Sequence, residues 1–114
     1  MFKGRTIVGL VEEVIINGSS KKMKVKARID SGATKSSIDI ELAENLNLGP
    51  AIQSKIVKSA HGRTIRPLVS ADIIIAGRKV TSMLTLADRK DMKYKVLIGQ
   101  DVLKQGFLID PMKE

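Results

Sequence analysis

The sequence predicts a mostly β fold, a small closed barrel with two short helices, in a single domain spanning residues 1–114. Three observations predict it. Short runs rich in β-branched residues recur between clusters of turn residues. One of them, Lys22 to Ile29, alternates strictly with period two, the period of a strand with one buried face. Helical spacing, by contrast, occurs only in two short segments. A length of 114 residues suits one domain, and a hydrophobic share of 43% is enough for a core. With only three aromatic residues, Phe2, Tyr94 and Phe107, that core is expected to be built from Ile, Val, Leu and Met.

The elements follow in order. Thr6 to Ile16 reads as a strand run closed by Asn17-Gly18-Ser19-Ser20, a hairpin signal. Lys22 to Ile29 is the returning strand, with Met23, Val25, Ala27 and Ile29 on one face and four cations on the other. Asp30-Ser31-Gly32-Ala33-Thr34 interrupts it with small and polar residues. Asp39 can cap a short helix whose Ile40, Ala43 and Leu46 share a face, and Gly49-Pro50 ends that segment. Ile52 to Ala60 and Thr64 to Ala76 are strands flanking a turn at His61-Gly62-Arg63. Gly77-Arg78 turns the chain into Lys79 to Ala87. After the polar stretch Asp88 to Asp91 come an apolar strand ending at Val96-Leu97-Ile98-Gly99, a helix over Gln100 to Lys104, and a last strand over Phe107 to Ile109.

Composition narrows the chemistry. No cysteine means no disulfide, no zinc-thiolate site and no thiol nucleophile. A lone histidine, His61, excludes any site needing two, and neither a Gly-rich phosphate loop nor a His-Glu-x-x-His pattern is present. A Ser-His-Asp triad would have to use His61, which has no Gly-x-Ser-x-Gly partner. No apolar run approaches the ~20 residues of a membrane span, and the first residues do not read as a signal peptide. A cytoplasmic protein is the expectation. The net charge is +8, and nucleic acid would be a conceivable partner at that value. Single-stranded recognition, however, leans on aromatic stacking, and the basic hairpin contains no aromatic residue.

The positive signal is Ile29-Asp30-Ser31-Gly32-Ala33. An apolar strand delivers one carboxylate into a tight turn where Gly32 lets the backbone approach and Ser31 offers a hydroxyl. The tripeptide alone reads first as an ordinary strand-end turn. A second element, Val96-Leu97-Ile98-Gly99 followed by a short helix, begins 66 residues after Asp30. Together the two elements resemble the retroviral-type aspartic proteases, the retropepsins. That resemblance implies Asp30 as catalytic residue, with Ser31, Gly32, Ala33, Ile98 and Gly99 supporting its loop. It also implies a flap at Ala60, His61, Gly62 and Arg63 that closes over bound peptide, and a Ser31 hydroxyl that interlocks two loops across a dimer.

The segment Leu86 to Gly99, with Leu103 and Gly106 to Pro111, is similar to one microbial branch. That branch is described as ATP-dependent zinc proteases and associated with RimK-type ATP-grasp ligases, which add glutamate to proteins. Zinc needs three or four His, Cys or carboxylate ligands, and the sequence offers His61 with scattered Asp and Glu. No nucleotide site is readable either. The expectation is therefore neither metal nor cofactor.

A retropepsin-like lobe carries one Asp-Ser/Thr-Gly motif, and the mechanism needs two carboxylates that share a proton. A homodimer presenting Asp30 from each subunit is the economical arrangement, with residues 2–11 and 107–109 as strands seeking partners. Charge points to the substrate. Residues 52–79 carry a net +5 and residues 21–28 add five cations: either acidic, Glu-rich peptides are attracted, in keeping with a functional link to a glutamate ligase, or these cations form a solvated face that protects edge strands. Ala33 stands where acid-stable relatives carry a hydroxyl, which implies activity reaching about pH 5–7. The alternative is a retropepsin-like peptide-binding module that is non-catalytic or activated by a partner.

Overall fold

The computed structural model describes residues 4–19, 21–49, 53–59 and 62–113, with the backbone alone for 53–59 and 62–65. Nine strands and two helices occur in the described residues: β1 (Thr6–Val8), β2 (Val11–Asn17), β3 (Lys22–Ile29), β4 (Ser37–Asp39), α1 (Ile40–Asn45), β5 (Gln53–Ser59), β6 (Gly62–Ile75), β7 (Arg78–Ala87), β8 (Val96–Ile98), α2 (Gln100–Leu103) and β9 (Phe107–Ile109).

Strands pair in the order β2-β3-β8-β4-β7-β6, and β6 returns to β2 through Val14–Ile75 to Asn17–Asp72, which closes a six-stranded barrel. β5 pairs with the first half of β6 and projects from the barrel. The remaining two strands, β1 and β9, form a separate parallel pair.

Alternation explains the interior. Val14 and Ile16 of β2, Ala27 and Ile29 of β3, Val69, Ala71, Ile73 and Ile75 of β6, and Val96 and Ile98 of β8 are all buried. Their odd or even neighbours face out, as a period of two requires. Ala43 and Leu46 of the α1 segment and Val102 of α2 cap the barrel. The residues are aliphatic, as the composition demanded. No helix among the described residues is long and apolar enough to cross a membrane.

Three sequence expectations change. The run from Thr6 to Ile16 is two strands, because the chain turns at Gly9, whose N–H donates to the Glu12 carboxylate at 2.7 Å. Ser37–Asp39, unforeseen, forms a strand that pairs parallel with β7 and antiparallel with β8. It is too short and polar to show a period. The two terminal strands do not wait for a second chain: β1 and β9 pair with each other first. Arg78 holds that pair against the barrel, donating to the Gly4 carbonyl at 2.7 Å and lying 5.7 Å from the centroid of the Phe107 ring. Gly106, at φ 111°, is the residue beneath the Arg78 guanidinium, where a Cβ would collide with it.

Candidate active site

The site is built where β3 ends. Asp30 continues the strand's pairing with β8, its N–H donating to the Ile98 carbonyl at 2.9 Å. The chain then turns tightly: the Ala33 N–H donates to the Asp30 carbonyl at 3.2 Å. Within that turn the Gly32 N–H donates to Asp30 Oδ1 at 3.0 Å, which fixes the carboxylate's orientation from its own backbone. Asp30 is half-buried, and Ser31 and Gly32 are exposed, so the carboxylate stands at a surface rather than in the core.

A second layer lies across this loop. Gln100 N–H, at the start of α2, donates to the Ala33 carbonyl at 2.8 Å, and Gln100 Nε2 donates to the Ser31 carbonyl at 2.8 Å. Gly99 passes so close that a Cβ there would sit 2.7 Å from both the Ala33 and Lys35 carbonyl oxygens, so no side chain fits. Ser36 is fully buried; its Oγ accepts from the Gly99 N–H at 2.8 Å and donates to Asp101 Oδ1 at 2.6 Å. Asp101 Oδ2 accepts from the Ser36 N–H at 3.1 Å. The Asp30 loop and α2 are thus held together by a two-ended hydrogen-bonded clasp.

The structure brings Asp30, Ser31, Gly32, Ala33, Ile98 and Gly99 close together at the end of β3. Ser31 contributes its carbonyl; no hydrogen bond of its hydroxyl occurs among the described residues. Ser36, Gln100 and Asp101 were missed, and the only hint was the polar tract Thr34 to Ser37 following the turn. Of the flap residues, Ala60 and His61 lie outside the described residues. Gly62 and Arg63 open β6 opposite Ser59 and Lys58, which places them on the β5–β6 hairpin.

A buried carboxylate, Asp39, organises the neighbouring loop. It caps α1, accepting from the Leu42 N–H at 3.4 Å, and accepts from the Arg89 N–H at 2.7 Å. Arg89 Nε donates to the Tyr94 carbonyl at 3.0 Å, and Lys95 Nζ bonds the Arg89 and Lys90 carbonyls. Burial lowers the Arg89 pKa, the Asp39 charge raises it, and the Arg28 charge lowers it again. Asp39 is thus the side chain around which the 88–95 loop is hydrogen-bonded. Among the described residues no three His, Cys, Asp or Glu side chains gather, so they offer no zinc set.

A small barrel that places an Asp-Ser-Gly turn beneath a Gly-led helix is an aspartic-protease-type fold. Residues 13–105 match the gag-polyprotein aspartyl protease family, and the chain belongs to it. Solved structures agree on the fold. A Legionella pneumophila protein of unknown function superposes with a TM-score of 0.66 at 20% identity, covering 95% of this chain and 94% of that one. The simian foamy virus protease gives 0.63 at 24% identity, covering 82% and 91%. EIAV protease complexed with an inhibitor gives 0.64 at 20% identity, covering 82% and 84%. A curated relative, a probable alpha-L-glutamate ligase of Shewanella pealeana, is 31% identical over 112 residues. That match takes in 76% of this chain, which spans only 24% of the relative's length.

Proposed function

We propose that this chain is an aspartic endopeptidase in which Asp30 meets Asp30 of a second copy across a two-fold axis. The observation that carries the reading is the fixed Asp30 carboxylate at a surface, oriented by Gly32 and braced by α2. One ionised carboxylate takes a proton from water as the water oxygen bonds to the scissile carbonyl carbon. The other, protonated, gives its proton to the carbonyl oxygen. The tetrahedral diol then collapses: one diol hydroxyl gives its proton to the now ionised carboxylate as the C=O re-forms, the C–N bond breaks, and the leaving nitrogen takes the proton of the other carboxyl.

Support for the dimer is geometric. An open groove of about 460 Å³ beside the Asp30 loop is bordered by Ser31, Gln100, Leu103, Phe107 and Ile109. β9, which carries two of these residues, has only β1 as a neighbour among the described strands. A second copy seated there brings its own Asp30 loop alongside. The β5–β6 hairpin, with Gly62 and Arg63, is the flap that closes over peptide and excludes water.

Acidic, Glu-rich peptides are the substrate class. The net charge of +8, the exposed cations of β3 and the likeness to part of a glutamate ligase support this, and they suit a functional link to such a ligase. The cytoplasm is the compartment that fits. The test is Asp30→Asn, which keeps the side chain's shape and removes the titrating group. We expect kcat to fall at least about a hundredfold with the melting temperature unchanged. Full activity in that variant, or activity lost to a chelator, would refute the assignment.

A further inference from the structure

We infer that Arg28 is a specificity-determining residue of this site, taking a glutamate or aspartate side chain of the peptide beside the bond that is cut. The inference rests on Asp30 as the catalytic group and deepens that reading. β3 keeps its register through Asp30: Arg28 stands opposite Leu97, Ile29 opposite Ile98, and the Asp30 N–H still donates to the Ile98 carbonyl. Residues two apart on a strand share a face and stand about 6–7 Å from each other. Arg28 and Asp30 therefore project on the same side, while Ala27 and Ile29 point into the barrel. An extended peptide with its scissile carbonyl at Asp30 has a neighbouring side chain within reach of Arg28.

The surroundings favour an anion there. Arg28 is exposed, and no carboxylate among the described residues lies within ion-pair distance of it. Arg89, from the loop between β7 and β8, is near enough that the Arg28 charge contributes to lowering its pKa. Asp30 is the reacting carboxylate on that side, Glu13 of β2 stands opposite Lys26, and the two remaining anions are turned elsewhere. Asp39 is buried and accepts from two backbone N–H groups, and Asp88 Oδ1 accepts from the Lys90 N–H at 3.3 Å. Arg28 and Arg89, near enough for their charges to act on one another and neither with an ion-pair partner among the described residues, make a local positive potential at the edge of the site. The planar fork of Arg28 matches a carboxylate in two-point contact.

Binding and cleavage are read separately. Fluorescein-labelled hexapeptides carrying one Glu at each position in turn, and their Gln isosteres, are titrated into the Asp30→Asn protein by anisotropy. At one position Glu should bind about tenfold more tightly than Gln. Adding Arg28→Gln should erase that difference, Arg28→Glu should reverse it toward a Lys peptide, and Arg28→Lys should retain part of it. Equal affinity for Glu and Gln peptides throughout, or a difference that survives Arg28→Gln, overturns the inference and makes the cations of β3 a solvated face. Cleavage of the same peptides by the unsubstituted protein tests Asp30 independently. A protein that binds Glu through Arg28 yet cuts nothing refutes the protease and leaves the Arg28 contact standing.

Discussion

At the scale of single residues, the Asp30 loop is fastened to α2 through one buried hydroxyl. Ser36 is buried, accepts from the Gly99 N–H and donates to Asp101. Ser36→Ala leaves the Gly99 N–H and one Asp101 oxygen without that partner in a place water reaches poorly. We expect a loss of about 1–3 kcal/mol in stability, measured by urea unfolding. A drop in kcat should accompany it, since the Asp30 turn is no longer fastened to α2. Unchanged stability would show that water replaces the hydroxyl. Asp30, Gly32 and Gly99 were legible in the sequence because each sits in a short contiguous pattern, strand-Asp-small-Gly or strand-Gly-helix. Ser36 and Asp101 were not, because their bond spans 65 residues and no local period records it.

Among the elements, the strands of the barrel were legible wherever alternation ran for six or more residues, as in β3, or where glycine marked a turn, as between β6 and β7. In the second case the turn falls one residue earlier than Gly77-Arg78: Ala76 and Gly77 take φ of 50° and 82°, the left-handed pair a tight hairpin needs, and Arg78 already opens β7. β4 was hidden because three residues cannot show a period, and its Asp39 reads as a helix cap, which it also is. The pairing of β1 with β9 was hidden because it joins the two ends of the sequence. Arg78 secures that pair through Gly4 and Thr6 and packs over Phe107. Arg78→Met keeps the apolar stem and removes the donors. Hydrogen exchange should then quicken in β1 and β9 by about tenfold while the barrel amides keep their protection. Equal loss of protection throughout would mean that the terminal pair and the barrel unfold as one unit.

For the whole molecule, one chain holds one Asp30, and the proposed mechanism asks for two. If Asp30 of each subunit is required, a mixed dimer containing one Asp30→Asn subunit cannot complete the proton transfers. Random reassociation of equal amounts of the two proteins leaves about one quarter of the dimers with both aspartates. Activity should therefore fall to about one quarter of that of the same total of unsubstituted protein, and the specific activity of the unsubstituted protein should decline on dilution as dimers part. Sedimentation at micromolar concentration should show about twice 12.4 kDa. The charge of +8 opposes association of two like copies, so moderate salt should strengthen the dimer even as it screens attraction for acidic peptides. The two effects separate cleanly when salt is varied at high protein concentration, where dimers are saturated and only substrate attraction remains. A mixture that keeps half its activity, with a mass of 12.4 kDa at every concentration, would mean that each lobe works alone and that the second carboxylate must be sought elsewhere.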